Sequence, residues 1–236
     1  MCRKILCLLL PLLLSACAAQ QVPGISAAEA LRQSAERMET LQGFQFSISR
    51  SGAPAFLDSE GMLSLSKMEG NFVAPDKVQA TVRVITPGLV IAIDVISIGA
   101  TQWQTNPITG QWEQLPPDWG FNPSSLLEAK AGLPAILIAD LTDLSLSADA
   151  ELEEMPGKKL LLISGRLDGK NLYELSNWLI GPDVMQAQIW VDPQTLDLQR
   201  ALLSEHAGDP QNERTWQIDF WNFNQLIDIL PPDMDG

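Results

Sequence analysis

Residues 77–98 read KVQATVRVITPGLVIAIDVISI, and this stretch decides the class of fold. In its first half every second residue is apolar: Val78, Ala80, Val82 and Val84. Pro87–Gly88 then marks a turn. The second half has one apolar face of aliphatic residues, made of Leu89, Ile91, Ile93 and Val95. A period of two on both sides of a turn predicts a pair of antiparallel strands.

The same period extends in both directions from this hairpin. Strand-like alternation covers the region from Phe44 to Leu115, and residues 106–110 read as a further hairpin turn. After a helical middle, the alternation returns and predicts five more strands, at about 144–152, 160–166, 183–191, 196–205 and 213–223. Most of these strands are separated only by short turns, which favours antiparallel pairing between consecutive strands.

Helical spacing appears in three places. Ser26 and Glu29 form a capping box before an amphipathic helix at about 27–41. Asn122–Pro123 precedes two short apolar helices, at about 124–131 and 134–140. A last helix is expected at 169–180. The sequence therefore predicts an α+β fold, in which helices cover the concave face of a single curved antiparallel sheet. The covers are expected to be 124–140 and 169–180.

The N-terminal residues have the features of an export signal. Arg3 and Lys4 precede a short apolar run, which is too short for a membrane-spanning helix. Leu14-Ser15-Ala16-Cys17 resembles the lipobox of bacterial lipoproteins. That likeness implies a signal peptide at 1–16, acylation of Cys17 as a diacylglyceryl cysteine carrying chains such as palmitate, and a tether at 17–24. The alternative is an ordinary signal peptide with a chance cysteine.

Composition limits the remaining classes of function. The formal charge is −14, and −14 − 2 = −16 without Arg3 and Lys4, so nucleic acid is not an expected partner. The same charge opposes adhesion to anionic headgroups, so the expected anchor is the lipid on Cys17. We expect a monomeric domain at 25–230, exported and held outside the cytoplasm, with a tail at 231–236.

Few residues suggest catalysis or metal binding. His206 is the one histidine of the sequence, and no nucleophile-elbow motif accompanies it or the nearby Ser204. Asp233 and Asp235 resemble part of a calcium loop, but too few further ligands follow. The expectation is a protein without enzymatic activity, metal or cofactor.

Four stretches resemble the mycobacterial LppX/LprG-type lipoproteins, which share a fold with the LolA/LolB lipoprotein carriers. They are LQGFQFSIS (41–49), NFVAPDKVQATVRV (71–84), VISIGATQWQTNPITGQW (95–112) and AQIWVDPQTLDLQRALL (187–203). The resemblance implies a half-open barrel with an apolar cavity under its helices. It also implies that the protein binds acylated lipids or glycolipids and carries them within the cell envelope, with a transport partner protein receiving the cargo.

The residues themselves leave the cavity open to two interpretations. If the helices pack tightly on the sheet, the apolar face is an ordinary core; if they stand off, an acyl chain can fill the gap. The expected lining of such a cavity is Phe46, Val82, Val84, Ile91, Ile93, Leu133, Leu137, Leu175 and Trp190. Trp119 is the expected rim residue, because tryptophan suits cavity mouths and membrane interfaces.

Two other functions remain compatible with the same pattern. One is an envelope sensor that binds another protein and has no lipid cargo. The other is a surface module that binds sugars through tryptophan and aspartate pairs. An unliganded domain that co-purifies with a membrane protein would favour the first, and quenching of tryptophan fluorescence by sugars would favour the second.

Overall fold

One antiparallel sheet of eleven strands dominates the part of the chain that the computed structural model describes, residues 24–116, 122–225 and 227–234. The strands are β1 (Gly43–Gly52), β2 (Ser64–Val73), β3 (Lys77–Thr86), β4 (Leu89–Ile98), β5 (Thr101–Thr105), β6 (Trp112–Gln114), β7 (Leu141–Ala150), β8 (Leu160–Asp168), β9 (Val184–Val191), β10 (Leu198–Glu205) and β11 (Arg214–Trp221). Their order across the sheet is β6-β5-β4-β3-β2-β1-β11-β10-β9-β8-β7. The sheet is open, with β6 and β7 at its edges, and the predicted α+β class is confirmed.

Four helices accompany the sheet: α1 (Ala27–Thr40), α2 (Pro123–Leu127), α3 (Leu133–Asp140) and α4 (Lys170–Leu175). The predicted caps are present, since Ser26 accepts a hydrogen bond from the N–H of Glu29 and Asn122 accepts one from the N–H of Ser124. The helix expected at 169–180 is shorter. It ends at Leu175 because Asn177 and Trp178 have positive φ angles of 50° and 68°, which interrupt a right-handed helix.

The strand register places one set of apolar side chains on the face that carries the helices, here called the inner face. Phe46 lies opposite Phe220 on β11 and Gly70 on β2, and all three share this face. Phe44 stacks on Phe72 at 4.9 Å between ring centroids and meets Phe220 edge-on at 5.4 Å. This aromatic group is buried at the centre of the sheet and joins β2, β1 and β11.

The helix α1 is a main cover of the inner face, although the expected covers were only 124–140 and 169–180. It packs against α3 and against β7, β9 and β10. Leu31 and Met38 are buried on its sheet side. Near its C-terminal end, the Arg37 guanidinium donates to Asp197, at 2.8 Å, in the turn between β9 and β10. The amphipathic pattern of 27–41 predicted the helix correctly, but a pattern does not specify which element the apolar stripe contacts.

Replacement of Phe220 tests the importance of the central aromatic group. Phe220→Ala removes a side chain that is 1% exposed and leaves a cavity under Phe44 and Phe46. We expect the free energy of unfolding to fall by about 3–5 kcal/mol, measured by urea denaturation. Phe56→Ala is the matched control, because Phe56 is 49% exposed. An equal loss in both variants would contradict a central role for Phe220.

Candidate functional site

Among the described residues, α1 and α3 close the centre of the inner face. The space between α1, α3 and the sheet measures about 10 Å³, which is close to the minimum needed for one water molecule. Its lining consists of Leu31, Ser34, Ala35, Met38, Pro134, Leu137, Ile189 and Leu198. Among the residues expected to line a cavity, Phe46, Leu133 and Leu137 are at most 1% exposed. In this structure these three residues belong to a packed core.

The β3–β4 part of the same face is less covered. Val82 lies directly opposite Ile93, Val84 opposite Ile91, and Ala80 opposite Val95, so all of these side chains share the inner face. We call the four half-buried members of this group, Val82, Ile91, Ile93 and Val95, the inner flank. Val84 lies among them but is 3% exposed. The inner flank is an aliphatic surface that faces inward and still meets solvent.

The short helix α2 lies beside the inner flank and contacts β3 and β4. Its N-cap residue Asn122 fixes it to the sheet at the end of β4. The Asn122 side chain accepts a hydrogen bond from the hydroxyl of Ser97 at 2.6 Å and donates one to the carbonyl of Gly99 at 3.0 Å. Because Ser97 is buried, this polar contact is shielded from water. The Asn122–Pro123 motif therefore places α2 over only one end of the inner flank.

Leu175, another expected lining residue, lies elsewhere. It is half-buried in an open cleft of about 550 Å³ between α3 and α4. The floor of this cleft includes Ala135, Ile136 and Ala139, and its rim includes the charged residues Lys130 and Glu174. The structure therefore does not bring Leu175 together with the residues of β3 and β4.

Trp190 lies on the opposite face of the sheet, which corrects its assignment to the cavity lining. It is paired with Leu162 on β8 and Arg200 on β10, whereas its neighbour Ile189 points to the inner face and is fully buried. The strand was predicted correctly, but alternation alone does not say which of two half-apolar faces meets the helices. Trp190 is therefore part of the outer face.

The outer face carries a groove of about 490 Å³ that sequence reasoning missed. Arg200 lies in it with 13% of its side chain exposed and donates to Asp219 and to Glu154. Burial lowers the pKa of the Arg200 guanidinium, but the two carboxylates outweigh it and leave that pKa above its ordinary value. Leu152, Glu154 and other residues of the β7–β8 connection wall the groove. No sequence signal marks this long-range arrangement.

An ion pair at the β9–β10 turn holds the β7–β8 connection near the sheet. The Lys158 ammonium lies 2.8 Å from the Asp192 carboxylate, whose side chain is 10% exposed. Asp192 also accepts hydrogen bonds from the N–H groups of Gln194 and Thr195. Burial raises the pKa of the Asp192 carboxyl, yet Lys158 and the two N–H groups together bring it below its usual value. The charged form therefore stabilises the folded state.

The remaining expected residues form no second functional site in the described part of the chain. Cys17 and Trp119 lie outside the described residues. His206 is exposed, and no group of three or more metal-binding side chains is found in the described part of the chain. Within that part, none of the helices combines the length and hydropathy needed to cross a bilayer.

Comparison with known proteins points to one family. The model of the LppX_LprAFG lipoprotein family matches residues 26–229. The crystal structure of LprF from Mycobacterium bovis aligns with a TM-score of 0.65 at 15% identity, over 89% of this chain and 97% of that one. LppX from Mycobacterium tuberculosis aligns with a TM-score of 0.60 at 14% identity, over 86% and 97%. No curated protein matches the sequence significantly. At these identities the structural likeness shows the fold.

The Lys158–Asp192 pair gives a pH-dependent prediction. Asp192→Asn keeps an acceptor for the turn but removes the charge, so we expect the free energy of unfolding at pH 7 to fall by about 1 kcal/mol. The folded-state pKa lies below the unfolded one, so this contribution is present above about pH 4 and is lost as the pH falls through the folded value. The two proteins should converge in stability at lower pH. Urea denaturation across pH 2–7 measures this.

The control for this prediction is Asp183→Asn, which changes an exposed aspartate at the start of β9. It should leave stability nearly unchanged at both ends of the pH range. If the stability difference between Asp192→Asn and the parent chain does not change with pH, the substitution has damaged the turn and the prediction about the charge is wrong.

Proposed function

This chain belongs to the LppX_LprAFG lipoprotein family, and we propose that it binds an acylated lipid or glycolipid on the inner flank and carries it within the cell envelope. The observation that supports this proposal is the contrast within one face of the sheet. Its centre is filled by α1 and α3, whereas Val82, Ile91 and Ile93 remain half-exposed and point inward. The role is binding and carriage, without catalysis.

The chemistry of the flank fits a hydrocarbon chain. The four side chains of the inner flank are aliphatic, and the paired positions Val82–Ile93 and Ala80–Val95 make a continuous apolar strip. Each methylene fully buried against such a surface contributes about 0.8 kcal/mol. An acyl chain laid along the strip would also remove the flank itself from water. A polar or charged ligand would gain nothing comparable there.

Membrane attachment completes the proposal. We propose that residues 1–16 are a signal peptide, that Cys17 receives a diacylglyceryl group and acyl chains such as palmitate, and that residues 17–24 tether the domain at 25–230. Two acyl chains suffice for stable anchoring. A transport partner protein would receive the cargo.

The test uses residues 18–236 exported by a bacterial host behind a cleavable signal peptide, so that the protein carries no anchoring lipid and can be purified without detergent. Native and denaturing mass spectra are compared, and the protein is extracted with organic solvent. We expect a bound mass that is released on denaturation and identified as an acylated lipid. If the purified protein contains no lipid and takes up none from mixed envelope lipids, the result would contradict the proposal. The envelope sensor without lipid cargo would then be the better interpretation.

Two variants on one strand locate the site. Ile93→Asp places a carboxylate on the inner flank, and we expect bound lipid to fall about ten-fold or more, because a charge facing the acyl chain must be desolvated. Ala92→Asp introduces the same charge on the opposite, exposed face of β4 and should retain the lipid. Circular dichroism and thermal melting check that both variants fold. Equal lipid content in the two variants would place the site elsewhere.

A further inference from the structure

One end of the sheet exposes a cluster of large apolar side chains. Two connections contribute to it, residues 53–63 between β1 and β2 and the turn between β3 and β4. Seven side chains there are between 38% and 61% exposed, and we call them the apolar tip: Phe56, Leu57, Met62, Leu63, Ile85, Leu89 and Val90. A cluster of exposed apolar side chains of this size marks a site of contact with another apolar phase.

The strand register makes the tip continuous. Phe56 forms a bridge with Ser64, Ser64 pairs with Ile85, and Ile85 pairs with Val90, so four successive segments place these residues in one row. The row continues outward through the N–H of Leu57, which donates to the carbonyl of Leu63 at 2.7 Å. Three of its four members are exposed apolar residues. Ile85 and Val90 lie on the outer face, whereas Leu89 lies on the inner face, so the tip spans both sides of this end of the sheet.

Polar side chains hold the backbone of the tip and its flanking residues in place. The Asp58 carboxylate accepts hydrogen bonds from the N–H groups of Met62 and Leu63, at 3.0 and 2.8 Å. The Arg50 guanidinium donates to the carbonyl groups of Gly52, Ala53 and Leu65. These bonds fix the backbone of a connection whose side chains Phe56, Leu57, Met62 and Leu63 are exposed.

The tip is connected to the inner flank along β4. Leu89, at the tip, lies on the same face of β4 as Ile91 and Ile93, because alternate residues of a strand point to the same side. Leu89 is 61% exposed and the next two residues of that face are half-buried. An apolar path therefore runs from the end of the sheet to the proposed binding surface, with no polar residue on that face between Leu89 and Val95.

We propose that the apolar tip inserts into the surface of a lipid bilayer, so that lipid passes between the membrane and the inner flank along Leu89, Ile91 and Ile93. The route rests on the proposed function, whereas insertion requires only that the protein is anchored to a membrane. From Cys17 to Gly24 an extended chain reaches about 25 Å. An anchored domain is thus confined to the bilayer surface, and the bilayer is an apolar phase always within its reach.

Charge decides how the tip binds. The full chain carries a formal charge of −14, so attraction to anionic headgroups cannot drive docking. The tip itself contains aliphatic and aromatic side chains, and the neighbouring Glu60 is exposed. Insertion is therefore shallow, to the boundary of headgroups and acyl chains, and it is insensitive to salt because no ion pair contributes.

The experiment measures the surroundings of a fluorophore on the tip in the full chain reconstituted in phosphatidylcholine vesicles. Val90→Cys is labelled with the environment-sensitive dye NBD, and Ile108→Cys is the matched control, since Ile108 is 92% exposed on the β5–β6 turn outside the tip. The unsubstituted chain, labelled in the same way, gives the background from its own cysteines. We expect blue-shifted emission and quenching by lipids with nitroxide-labelled chains at position 90, and quenching by aqueous iodide at position 108.

Two results would overturn the proposal. Equal access of iodide to positions 90 and 108, with no quenching by the labelled lipids, would mean that the tip stays in water. A shift at position 90 that grows with the ratio of protein to lipid would mean that a second copy of the chain covers the tip instead of the membrane.

A second measurement separates docking from lipid binding. Uptake of a fluorescent acylated lipid from donor vesicles is followed in Val90→Asp and in Ile93→Asp. Val90→Asp should slow uptake about ten-fold while the final amount bound is unchanged, because only the contact with the membrane is weakened. Ile93→Asp should lower the final amount. Membrane insertion without any bound lipid in the parent chain would refute the proposed function and leave docking intact, and lipid uptake that Val90→Asp does not slow would refute the route.

Discussion

The pairing of β1 with β11 holds this fold together. All other neighbouring strands are consecutive in the chain, so without this pair the molecule would be two separate antiparallel meanders, β1–β6 and β7–β11. The pair runs over eight positions, from Gln45 opposite Trp221 to Gly52 opposite Arg214. It costs the most loop-closure entropy of any pair in the sheet. The buried rings of Phe46 and Phe220, which face each other across it, offset that cost with a large burial of apolar area.

The helices of the described residues cover only part of this open sheet. The helices α1 and α3 pack at the centre and on the β7–β10 side, leaving a gap of only about 10 Å³. Within the described part of the chain, the helix that contacts β3 and β4 is the five-residue α2. Uneven cover is therefore a direct consequence of where the helices fall in the chain order, and it creates the inner flank. The same distribution explains why one aliphatic face is core at Ile189 and half-exposed at Ile93.

The sequence predicted local structure well and spatial relations less well. Alternation and turn residues identified the strands, and the caps at Ser26 and Asn122 placed two helix starts, because these signals act within a few residues. The prediction that Trp190 lies on the inner face was wrong, because both faces of β9 contain apolar residues and alternation does not distinguish them. The contact of α1 with the sheet, the groove around Arg200 and the buried contact from Trp216 to Glu205 at 2.6 Å depend on residues distant in sequence. No local period encodes such contacts.

The closed centre and the open flank together limit how a lipid can be held. From Leu89 to Val95 the face of β4 extends about 20 Å, which is of the order of one long acyl chain. A chain lying on this strip buries only one side, and so gains about half of the 0.8 kcal/mol per methylene that full burial gives. The interior of a bilayer surrounds the chain completely, so a lipid loses apolar burial when it leaves the membrane for the flank. On the proposed function, such a surface would retain the chain against water, where that half burial would be lost, and would give it up readily to a bilayer. If the proposed function and docking both hold, the apolar tip would keep the flank in contact with the bilayer during loading and release, so that the acyl chain would not cross water at these steps.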